Sequence, residues 1–463
     1  VTFSGIDTDG YETKVYQIDA EAQDGEEMDS SVDEDGDVTV ETDSFAVYDV
    51  SRVAETDGDY TLISTASELN NISSGGKYRL KSDIVFDANI SISQNTTLDL
   101  AGYKIYYKGT SFFNVSSGAT LTIEDSSAQS DTEESFSGTY GNIASLQFAS
   151  DGNKPTELTY YVTQSKVNSD GISTTETTKK HTMKPSGCIV GESTNGNEAI
   201  VKVGNGGAFN LTGGLLTIRY GDRYIRDSHI VYNNGTMNMT GGYICGGKDY
   251  CWGGGIYSGS GSSLNIKGGV IAANEGTNGG GVCVENGTFI MSDGVISGNK
   301  TKDTISTTIT NKYDNGQGGG VYLKNSTATI SGGYITNNKE NYQCSDKDSG
   351  YGCHGGGGVA TLYGTLSLEG GYITGNYSYE AGGGLYIGHF DAEDKKTSVT
   401  DTKYEMKGGT VADNCADHSE GGGIRVSGYA TGVINTTSKS YITNNETKTT
   451  NDWGGGGIFV QTK

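Results

Sequence analysis

The sequence predicts an all-β chain wound as a β-solenoid, with coils of about 26 residues and loop insertions. Three observations carry this. A phrase recurs: "GGGIYSGSGSSLNIKGGVIAAN" from Gly253, "GGGVCVENGTFIMSDGVISGN" from Gly279, "GGGVYLKNSTATISGGYITNN" from Gly318 and "GGGVATLYGTLSLEGGYITGN" from Gly356. Looser copies start at Gly382 and Gly421, and "GGGIFVQTK" opens another. The starts Gly253 and Gly279, like Gly356 and Gly382, lie 26 residues apart, and the wider gaps imply insertions of 8 to 13 residues. Apolar residues alternate within each copy: Val321 and Leu323 share a face, as do Ala328 and Ile330, while Tyr334 points away from Ile335. Period two over runs this short means strands. The third observation is negative, since no stretch offers helical periodicity over ten residues and only two prolines, Pro155 and Pro185, occur.

Each coil has an apolar face that it cannot bury alone. Coils stacked about 4.8 Å apart merge those faces into one core. The glycines then belong at corners, where a positive φ or a close backbone approach is needed. Asn274, Asn299, Asn338, Asn376, Asn414 and Asn445 share one repeat position after the third strand. Asparagine tolerates the left-handed region and bonds to its stacked copies, so a structural ladder is expected here rather than a ligand-binding row.

Along the chain, residues 1–60 read as an acidic N-terminal arm or small β module. Residues 61–130 hold the first coils and a cap, with a short helix at "TASELNNI" capped by Ser64 or Thr65. Residues 131–187 are polar and break the pattern, so they read as an insertion in which "TELTYYVTQSKV" is one arm of a hairpin extending from the solenoid. Residues 188–463 carry the Gly-rich coils. The loops after Asn299 and Asn338 and within the Gly382 coil are expected to protrude. A first residue of Val and an end inside a repeat suggest a piece processed from a longer chain.

The segments "ISTASEL…GGKYRLKSDI", "TTLDLAGYKIYYKG" and "GATLTIEDSS", followed by "GGYITNN…GGGVYL" repeats, give the chain a family likeness. Over residues 60–463, apart from the insertion, it resembles right-handed parallel β-helix surface proteins of Gram-positive gut bacteria. The repeats are also similar to those of polymorphic outer-membrane and autotransporter proteins. The resemblance implies a right-handed parallel β-helix, an extracellular cell-surface location, and an adhesin or stalk role.

A formal charge of −25 makes nucleic acid and anionic membranes poor partners. No run of 18 apolar residues occurs, so no membrane insertion is expected. The stretch "VDEDGDV" is loosely like a calcium loop. Weak Ca2+ binding at Asp33, Asp35 and Asp37 stands against a plain solvated arm, because the twelve-residue spacing and closing Glu are missing. Of seven cysteines, Cys245 with Cys251 and Cys344 with Cys353 are expected as local disulfides in an oxidising compartment. Cys188, Cys283 and Cys415 stay unassigned. Sequons such as Asn210, Asn234, Asn286 and Asn325 are attributed to composition.

No outward row carries a pair of acids at glycosidase spacing, Glu405 stands alone, and His181, His229, His354, His389 and His418 fall in or near loops. Catalysis is therefore not expected. Tyrosine, used 30 times, offers a flat apolar face with a polar tip suited to sugars or proteins. The candidate ligand-binding residues are Tyr243, Tyr334, Tyr372 and Tyr441 on the third strand and Tyr257, Tyr322 and Tyr386 on the first. The expected function is an adhesin or display stalk that binds glycan or host protein. The alternatives are a head-to-tail extracellular fibre, self-associating through an open solenoid end, and a β-helix enzyme acting on polysaccharide.

Overall fold

A computed structural model describes the chain apart from residues 5–10, 19–24, 34–36, 43–46, 110, 128, 139, 151–153, 168–172, 194–198, 221–228, 250–251, 303–315, 342–354, 389–401, 428–429, 436–438, 450–453 and 462–463. The three loops expected to protrude fall largely within these last ranges. Among the described residues the chain is all-β, built on long parallel sheets.

Successive repeats pair in parallel, each strand with its copy one repeat later. The first strands form an 11-stranded sheet running from Ile90–Ile92 to Ile458–Val460. The second and third strands share a 22-stranded sheet, joined because Ser263–Ala272 and Thr288–Ser297 run on without a break from one position to the next. A 6-stranded sheet of two-residue strands follows the asparagine position.

Register is set by matching aliphatic residues. On the third strand Ile84, Ile105, Ile189, Leu216, Ile244, Ile271, Ile296, Ile335, Ile373, Val411 and Ile442 pair in one unbroken column. A slip of one residue would turn the whole column outward. These side chains join one cluster spanning Ile63 to Val426, and burying each contributes about 1.5–3 kcal/mol. At the N-terminal end the helix Ala66–Asn70 closes this core. Thr65 caps it, its hydroxyl accepting from the Glu68 backbone while the Glu68 carboxylate accepts from the Thr65 backbone. Leu69, with Ile72 from the following 3-10 turn, is fully buried in the cluster.

The glycine triplets do two jobs. Gly318 has φ 69°, a left-handed turn entering the first strand. A Cβ on Gly320 would lie 2.7 Å from the Gly358 carbonyl of the next coil and 2.8 Å from the Asn338 amide, so only glycine lets those backbones meet.

The described residues up to Ala54 form two three-stranded antiparallel sheets around Val15, Val38 and Val40, while Thr56–Asp57 and Tyr60–Ile63 already join the 22-stranded sheet. In residues 131–187 the strand Pro155–Val167 is one arm of a hairpin with Ser173–Lys184, as expected, but the four-stranded antiparallel sheet they belong to does not project and lies back across the parallel repeats as a strap. Leu158, Tyr160 and Val162 of the strand Pro155–Val167 pack on Cys188, Leu215, Cys245 and Val270, which face outward from the third strand. Further along, the Tyr161 backbone N–H donates to the Ser297 hydroxyl at 3.3 Å and the Thr163 N–H to the Thr336 hydroxyl at 3.1 Å. Apolar strap residues thus cover apolar coil residues, and polar ones meet polar ones. The third strand is apolar on both faces near Cys188 and Leu215, the pattern of a strand buried on both sides.

Candidate ligand-binding groove

The six asparagines form a continuous ladder. Asn299 shows the pattern: its Nδ2 donates to the Ile271 carbonyl at 2.9 Å and to Asn338 Oδ1 at 3.0 Å, while its Oδ1 accepts from the Asn274 Nδ2 at 2.9 Å. The same bonds link Asn338 to Asn376, Asn376 to Asn414 and Asn414 to Asn445. The amides are consumed by the fold. They are not the left-handed residues, however. Positive φ falls one position earlier, on Ala273, Gly298, Asn337, Gly375, Asp413 and Asn444.

A second ladder, missed in the sequence, runs along the second strand: Asn265 Nδ2 donates to Asn238 Oδ1 and Asn238 Nδ2 to Asn210 Oδ1, each at 3.0 Å. The 27- and 28-residue spacing of these asparagines was the available signal. Asn325 likewise donates to Asn286 at 2.6 Å, so three of the four sequon asparagines named above have amides occupied in ladders.

The seven tyrosines do not form one surface. Tyr322 and Tyr386 are 0% exposed, which corrects their placement on an outward ligand face. They pack with Cys283, Ala360, Leu362 and Ala381 in a second apolar layer outside the first sheet, so a side chain leaving the inner core still need not reach solvent. Tyr257 borders this layer, its ring 5.3 Å from His229 and its hydroxyl donating to Glu285 Oε2 at 3.0 Å. Tyr243 packs against the strap cluster, where burial pushes its hydroxyl up to about 12. Tyr334 and Tyr372 stack, half-buried, with centroids 4.8 Å apart and planes at 10°. Tyr441 lies one coil beyond Thr410 and is also half-buried.

Beside this face the strap and the coils enclose a groove of about 520 Å³. Residues 141–146 run along the left-handed corner positions: Gly141 N–H donates to the Gly375 carbonyl, Asn142 Nδ2 to Asn337 Oδ1 and Ala144 N–H to the Gly298 carbonyl, at 2.8, 2.6 and 3.1 Å. One wall is Ile143, Leu146 and Phe148 from the strap, and the other carries Arg219, Lys248 and Lys300 from the coils. Glu275 also lines it, its Oε2 lying 3.5 Å from the Lys300 ammonium.

Cys245 is a free, fully buried thiol, against the expected disulfide to Cys251, which lies outside the described residues with Cys344 and Cys353. Cys188, Cys283 and Cys415 are also free and buried, and burial pushes the Cys188 thiol up to about 12. The Asp37 N–H donates to Asp33 Oδ1 at 2.9 Å, closing a turn, and Asp35 lies outside the described residues. Among the described residues no group of three or more His, Cys, Asp or Glu is placed to hold a metal ion. Glu405 pairs with Lys407 at 3.2 Å, His181 stacks on Tyr160 and His418 on Tyr379, while His354 and His389 lie outside the described residues. No helix among the described residues is long and apolar enough to cross a membrane. Comparison with protein-family models, curated proteins and solved structures finds no match to this chain.

Proposed function

We propose that the chain is a right-handed parallel β-helix on the outside of a bacterial cell, where it acts as an adhesin or display stalk that binds glycan. The parallel pairing of copy on copy through three strand positions and the shared aliphatic core support the β-helix. The stacked pair Tyr334 and Tyr372 carries the binding reading. The two rings cover each other's inner faces and Tyr334 also packs against the strap cluster, so the pair is a rigid, pre-ordered stack whose remaining surface a sugar's C–H face can meet at little side-chain entropy cost. The exterior location rests on the family resemblance of the repeats.

A glycan array probed with the wild-type chain and with a Tyr334→Ala/Tyr372→Ala variant tests this. Bound glycans that disappear with the variant are expected. Binding that persists unchanged would remove the tyrosine platform, and a blank array would remove the glycan reading.

A further inference from the structure

We propose that the groove between strap and coils binds a carboxylated saccharide, with the acid on Arg219, Lys248 and Lys300 and the sugar ring on Leu146 and Phe148. This rests on the glycan-binding reading and names its ligand class. The volume of about 520 Å³ lies in the range of small-ligand sites. Its two walls differ in chemistry. The strap offers an apolar wall with one aromatic ring, and Ile143 at its edge is 38% exposed. Among the described residues the coils offer Arg219, Lys248 and Lys300, with Glu275 beside Lys300 and Glu192 paired in register with Arg219. In a chain of net charge −25, three cations gathered on one concave wall stand out, and the concavity focuses their field.

Parallel pairing orders these charges. Lys248 pairs with Glu275, Glu275 with Lys300 and Lys300 with Lys339, placing them at one position on successive coils about 4.8 Å apart. The row, in which Glu275 separates Lys248 from Lys300, continues past the groove to Lys339, whose ammonium lies 5.0 Å from the Tyr377 ring centre. A ligand lying along the row would meet cations repeatedly. Arg219 adds a planar fork suited to a carboxylate. Asn274, at the end of the ladder, and Ala273, at the left-handed corner, also line the groove, so that side is fixed before a ligand arrives. A uronic or sialic acid unit matches both walls with its apolar ring face and its carboxylate. At this groove, among the described residues, an acidic peptide would find the four-residue edge strand Ser145–Phe148 to pair with.

The test is calorimetric titration of the full chain with galacturonate, mannuronate and hyaluronate oligosaccharides and sialyllactose, each beside its methyl ester, plus a glutamate-rich peptide. At least one free acid is expected to bind, with its ester about tenfold weaker and with affinity falling as salt rises. Lys248→Gln and Lys300→Gln should each weaken binding about fivefold at unchanged circular dichroism. An ester that binds as well as the acid, indifference to both substitutions, or tighter binding of the peptide would overturn the proposal. Neutral glycans bound through Tyr334 and Tyr372 without preference for acids would overturn it and leave the glycan reading standing. No saccharide binding at all would remove both.

Discussion

The Thr374 hydroxyl donates to the Thr163 carbonyl at 2.6 Å, although 211 positions separate them in the chain. Asn337 reaches the same strap residue, its Nδ2 lying 2.9 Å from the Thr163 hydroxyl oxygen. The strap is therefore bonded to side chains of several coils, besides resting on their apolar surface. Thr374→Val keeps the shape and removes the donor, leaving the Thr163 carbonyl unpaired in a buried place. A loss of about 1–3 kcal/mol is expected, read as faster hydrogen exchange across residues 155–167 with little change in the distant first coils. Uniform exchange along the chain would show that the strap does not depend on this bond.

The asparagine ladder is expected to be the more sensitive element. Asn338→Ala removes the side-chain partners of the Ile296 carbonyl, of the Asn299 N–H and of one of the two Asn299 Nδ2 hydrogens, the other staying on the Ile271 carbonyl. At about 1–3 kcal/mol for each unpaired buried group, the total should reach several kcal/mol. Chemical denaturation should therefore show a larger loss for Asn338→Ala than for Asn238→Ala on the half-buried outer ladder.

Two substitutions should stabilise. Tyr404 sits in the aliphatic core at 3% exposure with no partner for its hydroxyl. Tyr404→Phe removes an unpaired polar group and should raise the melting temperature, by about 1 kcal/mol of stability or more. Ala273 holds φ 57°, which costs about 1 kcal/mol for a residue with a Cβ. Ala273→Gly should recover part of that, offset by the greater freedom of glycine in the unfolded chain.

Acid should weaken the junction between strap and coils. Asp125 accepts from Gly102 N–H, Ser127 Oγ, Ser186 Oγ and Gly187 N–H at 2.9, 2.6, 2.8 and 2.8 Å, clamping both ends of the insertion. Burial alone would raise its pKa, but the hydrogen bonds from Ser127, Ser186, Gly187 and Gly102 outweigh this and lower it. Asp99 is lowered in the same way, against burial, by Ser126, Arg79 and Ala101. A carboxylate with a depressed folded pKa contributes its full stability above the unfolded value of about 3.9 and loses it as pH falls through the folded value. Denaturation midpoints should hold near neutrality and drop below about pH 4. Asp125→Asn should be less stable at pH 7 and show a shallower acid decline.

What the sequence revealed follows from which interactions repeat. The paired isoleucine column and the ladder from Asn274 to Asn445 each obey the coil period, so alternation and spacing exposed them. Three things were hidden because the period does not encode them. The docking of Leu158 onto Leu215 and Val270 is a contact between a unique segment and a repeated one. Its trace was the outward apolar residues Cys188 and Leu215, which alternation assigns to solvent. Tyr322 and Tyr386 misled for the related reason that facing away from the inner core was equated with exposure, while a second apolar layer covers them. The groove is assembled from Phe148 on the strap and Arg219, Lys248 and Lys300 on different coils, and no spacing rule brings these together.

The strap also works as a ruler. Where the strap does not reach, the described repeats pair with their neighbours, so adding or removing one whole repeat would leave the local bonding unchanged. Between Ser297 and Thr374 this freedom is lost, because Tyr161 and Thr163 must meet hydroxyls on three consecutive coils. Deleting one of these repeats would bring the wrong side chain beneath Thr163. The number of repeats in this stretch is thereby fixed by a segment that belongs to none of them.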